Sequence, residues 1–407
     1  MKRARPLRSA VAAGLLAVAT FAACTDPRDR SPTSGAGSSG AVPTSPVARQ
    51  ALSALASCAT TRTASFVPEA EALARAVDAW AALPSDASLR AKAKEAWLSA
   101  IFRWQTLEPW QFGPGAMSSL PGGRELRDPI YSWPTGGRCL IEQTIVGKGY
   151  ASPDFSGGLV STRTLLALEY LLFGEGATNG CAPEATINTS GAWAALSAEE
   201  RTARKAAYAA VVANDVVGRA RALADAWAPT GGNFANEVVT AGWGSKVFAT
   251  EQMALNAAAD ALFYVYFDVK DMKVARPAGI EKCTAATCLE TVESLFAKVA
   301  RRHILANLEG ARDLLVGCNG GADPSFDDLL ARRGQQAVTV DLVFDLDAAI
   351  AATKALPSDD LAVAIVAEPA KVRALYDALK RFGDRLRTEF ITILDLELPK
   401  RIEGDND

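Results

Sequence analysis

The sequence predicts an all-α protein made of two helical bundles, and three observations predict it. From about residue 50 to 400 the chain is rich in Ala and Leu, with no sustained two-residue alternation, so helix is favoured over strand. Apolar residues instead recur at spacings of three and four, as in Ala93, Ala96, Trp97, Ala100, Ile101 and Trp104, which makes stripes that need partner helices. Finally, a folded length near 350 residues exceeds what one bundle needs, so two are expected.

The N-terminus reads as an address. Lys2, Arg3, Arg5 and Arg8 precede an apolar stretch from Ala10 to Ala23, shorter than the roughly 20 apolar residues that span a bilayer, so residues 1–24 are a secretory signal. The signal ends Phe21-Ala22-Ala23-Cys24, a small-small-Cys lipoprotein cleavage site, which predicts lipidation of Cys24. Residues 25–49 are mostly Pro, Ser, Thr, Gly and Ala and read as a disordered tether. Thr25 separates Cys24 from Asp26, and the lack of an acid directly after the Cys favours the outer membrane over the inner, facing the periplasm of a bacterial envelope. Removing the signal takes the formal net charge from −3 to about −7, which argues against a nucleic-acid partner.

Eight helices follow from the pattern: 66–82, 88–107, 159–173, 194–227, 244–268, 288–316, 325–353 and 369–395. In the last, Val372, Leu375, Leu379, Phe382, Leu386, Phe390 and Ile393 form a second long stripe. All eight Trp lie between Trp80 and Trp243, and Pro-Thr-Gly-Gly-Asn and Gly-Trp-Gly interrupt the helical pattern at 229–244. The boundary is therefore set there, with an N-terminal bundle over 50–240 and a C-terminal bundle over 241–407. Residues 109–158 read as one long irregular segment rich in Trp, and such segments inside bundles are more often functional than decorative.

Setting Cys24 aside for lipid leaves Cys58, Cys139, Cys181, Cys283, Cys288 and Cys318, an even set suited to disulfides in an oxidising compartment. Cys139 with Cys181, and two of the last three together, are the expected local pairs. No Cys-x-x-Cys or Cys/His cluster points to structural zinc or thiol redox chemistry.

Histidine occurs once, at His303, which excludes any mechanism needing two imidazoles, including the His-Glu-x-x-His zincins. A Ser-His-Asp or Cys-His arrangement would have to use His303, and no nucleophile elbow accompanies it. Within Arg301-Arg302-His303-Ile304 it reads as a surface or cap-adjacent residue. No Gly-rich stretch has the pattern of a phosphate loop.

Three segments bring a family into view: Trp104-Gln-Thr-Leu-Glu-Pro-Trp-Gln-Phe-Gly113, Arg127-Asp-Pro-Ile-Tyr-Ser-Trp-Pro134, and Ala167-Leu-Glu-Tyr-Leu-Leu-Phe-Gly174. With the acidic ending Glu403-Gly404-Asp405-Asn406-Asp407, they make the chain resemble the imelysin-like proteins, a group that includes peptidases and iron-regulated envelope proteins. The resemblance covers most of residues 50–407. It implies two helical bundles, related by duplication of a four-helix bundle, with a site in the groove between them. It also implies a metal-binding Gly-x-His-x-x-Glu signature on a helix of the first bundle. Here Thr164 stands at the Gly, Leu166 at the His and Glu169 at the Glu, so only the acid is kept.

Residues three apart share a helix face, so a His and a Glu there would hold one cation, whereas Leu166 leaves a single carboxylate. A carboxylate among Leu165, Leu168, Leu171 and Leu172 needs partners, with Arg127, Arg163, backbone and Tyr donors all available. Structural anchor, ligand contact and acid–base group are all open roles for Glu169. Glu108 sits at a predicted helix end, where the dipole does not help it, with Arg103 or Arg124 in reach or the groove before it. Trp110, Tyr131 and Trp133 are candidates for an aromatic cleft wall beside Arg127, suited to a peptide, a glycan or a hydrophobic partner. The clusters Asp268-Val269-Lys270-Asp271 and Asp323 through Asp328 offer oxygen ligands for hard cations but also read as solvated helix ends, the latter as an N-cap with first-turn acids. No cofactor is called for outright, with iron or another divalent cation the only candidates.

The leading functional reading is a non-enzymatic, ligand- or partner-binding envelope lipoprotein linked to iron acquisition. Its partners would be the membrane, through the lipid, and an envelope protein, a peptide or a metal ligand. A divergent metallopeptidase using groove carboxylates, and a structural or partner-docking protein, are the alternatives.

Overall fold

The computed structural model describes residues 46–399. The expected signal, the lipidation expected at Cys24, residues 25–45 of the expected tether and the closing Glu403–Asp407 run lie outside the described residues, while residues 46–49 of that tether are helical and open the first helix. In chain order the principal helices are α1 (Pro46–Ala82), α2 (Ala87–Leu107), α3 (Arg138–Gly147), α4 (Leu165–Phe173), α5 (Ala198–Trp227), α6 (Phe234–Val239), α7 (Glu251–Leu262), α8 (Ala300–Val316), α9 (Phe326–Arg332), α10 (Gln336–Lys354), α11 (Leu361–Ala367) and α12 (Pro369–Arg385). After Phe263 and Tyr264, α7 is followed by wider π turns at Val265–Ala275, and α12 runs on into another at Leu386–Phe390. No strand occurs among the described residues, so the all-α expectation holds.

Local chemistry explains where prediction and structure part. Helix α1 starts twenty residues before the expected 66, because Pro46 opens it and the run Thr60-Thr61-Arg62-Thr63 is absorbed. The hydroxyls of Thr60 and Thr63 donate back to the carbonyls of Ala56 and Ala59, at 2.8 and 2.9 Å, instead of competing with the helix. Helix α2 starts as expected, with the Asp86 carboxylate accepting from the Ser88 and Leu89 amides. Ser197 and Glu200 form a capping box at the start of α5. The expected 325–353 helix is two, α9 and α10, parted at Gly334, whose φ of 74° suits glycine. The expected 288–316 helix forms only from Ala300, since 292–299 is a loop with Ser294 and Lys298 at φ 59° and 60°. The irregular 109–158 segment is interrupted by α3, and its Trp110, Phe112, Tyr131 and Trp133 are all buried.

The described residues belong to one compact unit. In the first half α1 packs along α5, α2 and α6, burying Trp80, Trp97, Trp104 and Trp227. In the second half α12 packs on α10 and on the π turns, and α8 on α10. The halves meet where α2 lies against α8. Gly310 permits that approach: a Cβ there would sit 2.2 Å from the Thr106 carbonyl oxygen.

Three disulfides form. Cys139–Cys181 is the expected local pair, and Cys283–Cys288 is the pair expected among the last three. The remaining bond, Cys58–Cys318, ties α1 to the residue two past the end of α8, across 260 positions of sequence. No described helix is long and apolar enough to cross a membrane.

Candidate functional site

Helix α4 begins where the Thr164 hydroxyl accepts the Leu166 amide, and the Leu165 amide donates to the Ile130 carbonyl, which fixes the helix against the aromatic loop. Leu165, Leu168, Leu171 and Leu172 are buried, and so is Glu169. One Glu169 oxygen accepts the amides of Phe296 and Ala297, both at 2.9 Å, and the Ser294 hydroxyl at 3.2 Å. Its partners are therefore the backbone and a hydroxyl of the 292–299 loop. Both cations expected beside it are engaged elsewhere: Arg163 with Asp215 at 2.9 Å, and Arg127 with Glu108. The left-handed turns at Ser294 and Lys298, each costing about 1 kcal/mol, lie on the same loop that delivers those donors.

Burial pushes Glu169 up to about 7, and the loop donors only partly offset it. Because this lies above the ordinary 4.5, the stability the carboxyl contributes is complete below pH 4.5 and is lost as pH rises through about 7. Glu169→Gln keeps an acceptor for the two amides and removes the ionisation. The unfolding free energy of wild type minus that of the variant, from denaturant titrations, is expected to fall between pH 4.5 and 7.5, by an amount on the order of 3 kcal/mol. A difference that stays flat across this range contradicts the assignment.

Glu169 lies on the wall of a cleft of about 580 Å³, a size suited to a small ligand. Trp133, Ile141, Leu166, Met272, Val292 and Phe296 are among its apolar lining, and Arg138 and Arg276 are its cations. Leu166, at the signature His position, faces this space next to Gly136, where a Cβ would come within 2.8 Å of the leucine methyl. Arg138 is held by the buried Glu142 at 2.8 Å, which also takes the Tyr170 hydroxyl at 2.6 Å and the Gly180 amide at 2.7 Å.

Behind the cleft lies a buried polar cluster that the sequence reading missed. Glu293 accepts the Tyr131 hydroxyl at 2.7 Å, the Lys273 ammonium at 3.0 Å and the Gln105 amide at 3.1 Å. Lys273 also donates to Gln105 at 3.0 Å and to Asn307 at 2.7 Å. His303 is no surface residue: it is fully buried, with Nδ1 3.3 Å from Glu293, because α8 turns this face onto α2. Burial lowers the His303 pKa despite Glu293, which favours the neutral ring. Burial opposes the charge of Glu293 too, but Lys273 and then His303 outweigh it and hold the carboxylate well below its usual range. His303 and Asn307 stand four apart in line with Gly310 and Leu314, and these polar residues inside an apolar stripe were the available signal.

Of the predicted site residues, Glu169 and Trp133 share the cleft. Tyr131 belongs to the buried cluster, its hydroxyl on Glu293. Glu108 pairs with Arg127, Nε to Oε1 at 2.7 Å, rather than with Arg103 or Arg124, because the aromatic loop folds Arg127 over the end of α2. Burial raises the pKa of Glu108 against the pull of Arg127. Trp110 is anchored by its indole N–H on the Gly310 carbonyl at 3.0 Å and does not line the cleft.

The residues present do not suit the metal the signature implies. Leu166 offers no donor, one Glu169 oxygen already accepts three hydrogen bonds, and no group of three metal-ligating side chains occurs among the described residues. The acidic clusters are engaged as well. Asp271 is buried against Lys270 and Lys282, and Asp328 caps α9 through the Ser325 amide at 3.1 Å.

Fold and site together define a helical-bundle protein with a largely apolar cleft closed by a loop from its second half. The imelysin family model matches residues 59–386, and the chain belongs to that family. Two solved structures share the fold. An imelysin-like protein from Psychrobacter arcticum 273-4 is 15% identical, covering 87% of this chain and 97% of its own, with a TM-score of 0.64. A protein from Parabacteroides distasonis ATCC 8503, described as an iron-regulated protein A precursor, is 16% identical, covering 88% and 96%, with a TM-score of 0.66. No curated protein matches the chain.

Proposed function

We propose that the protein is a non-enzymatic binding protein of the bacterial envelope, anchored through Cys24 and serving iron acquisition, with the Glu169 cleft as its binding site. The observation that carries this reading is the cleft itself. It has ligand dimensions and a largely apolar lining, and its one deeply buried acid is held by the 292–299 loop without a second ligating side chain at position 166. Support for the iron link is the fold shared with the Parabacteroides protein described as iron-regulated. Support for the envelope is the signal pattern ending at Cys24 and three disulfides suited to an oxidising compartment.

Incubation of the purified protein with denatured casein, with and without added zinc or ferric citrate, is expected to leave the substrate intact. Cleavage that disappears in Glu169→Gln would establish the peptidase alternative instead.

A further inference from the structure

Arg276 follows the π turns and lines the cleft opposite α4. Its Nε is enclosed but has no hydrogen-bond partner, and the guanidinium makes no ion pair among the described residues. The other charges on the lining do not compensate it. Arg138 is neutralised by Glu142. Glu290 is exposed, and no ion pair joins it to Arg276. Glu169 is spent on the 292–299 loop, and burial favours its neutral form up to about pH 7. The cleft therefore presents one cation without an ion pair among the described residues, beside Trp133, Leu166, Met272, Val292 and Phe296. A guanidinium in such a setting is matched by a carboxylate, which it takes in a two-point contact.

We propose that the cleft binds an apolar-bodied organic carboxylate, its carboxyl group on Arg276 and its body against Trp133, Leu166 and Phe296. This rests on the reading of the cleft as the binding site and adds the chemical class of its ligand. The carboxylate has two sources, a free small acid or the carboxyl end of a peptide, and both present the same group to Arg276.

Ligand-observed NMR on the purified mature protein tests this with matched pairs: 4-phenylbutyrate against 4-phenylbutan-1-ol, and acetyl-Ala-Phe against its C-terminal amide. The acid is expected to bind at least tenfold more tightly than its neutral counterpart. Preference in the first pair alone marks a free small acid, and preference in the second marks a peptide end. Arg276→Gln should remove the preference without changing the melting temperature, and Arg276→Lys should restore part of it. Leu166→Trp, which fills the cleft, should abolish binding of every probe. Equal binding of acid and neutral partner, lost in Leu166→Trp, overturns the carboxylate assignment and leaves the cleft reading standing. Binding untouched by Leu166→Trp overturns both, and no binding by any probe overturns the proposal.

Discussion

Lys273→Met is expected to destabilise the fold by about 3–5 kcal/mol, the largest effect of any single substitution considered for this chain. Lys273 is buried and joins Glu293, Gln105 and Asn307, so its removal strands a buried carboxylate and takes the lysine donor from the Asn307 amide oxygen, while the Gln105 oxygen keeps the Asn307 amide. The methionine fills the volume, which confines the loss to electrostatics and hydrogen bonding. Adding Glu293→Gln to the same chain should recover at least half of the loss, because the uncompensated charge is then gone. His303 modulates the deficit. Lys273 is one of the groups that keep its pKa low, so in Lys273→Met the imidazole protonates more readily beside Glu293. The deficit should therefore shrink as pH falls. Denaturant midpoints of the two variants check this, and a single-variant loss under about 1 kcal/mol, or no recovery in the double variant, refutes it.

The second large effect concerns the Cys58–Cys318 bond. It closes a loop of 260 positions, and loop-closure entropy assigns such a bond about 5–6 kcal/mol, against about 2 kcal/mol for the 5-position separation of Cys283–Cys288. Cys58→Ser with Cys318→Ser should lower the melting temperature most, Cys139→Ser with Cys181→Ser by an intermediate amount, and Cys283→Ser with Cys288→Ser least. Thermal melts of the three double variants give the order, and a reversal between the first and last would show that this bond does not constrain the unfolded chain as its span implies.

What was legible in the sequence follows from where the signals are local. Helices α2 and α5 carry both an apolar stripe and a cap, Asp86 in one and the Ser197–Glu200 box in the other, and they form where expected. The local pair Cys139–Cys181 is of the same kind. Glu169 was legible as a buried acid in need of partners, because its neighbours are leucines. Its actual partners were not, because they are backbone amides 127 and 128 residues away, and an amide leaves no mark in the sequence. The loop that carries them was hidden inside an expected helix over 288–316. Glu293 and Ser294 are drawn out of that helix by long-range contacts with Lys273, Tyr131 and Glu169. His303 read as a surface or cap-adjacent residue for the same reason, and Lys273 and Glu293 gave no signal: each is costly to bury alone, and each is buried together with the others. Cys58–Cys318 was equally out of reach, since nothing local to either residue names the other.

The central claim is that Leu166, standing where the resemblance implies a metal-ligating His, makes this helix face the wall of an organic-ligand cleft and not a metal site. Its most direct test is the metal content per chain, by mass spectrometry, of protein purified without chelators, equilibrated with equimolar zinc and ferric citrate and then desalted. The expected result is far less than one ion per chain, the same for wild type and Glu169→Gln. One tightly held ion per wild-type chain that Glu169→Gln releases would contradict it.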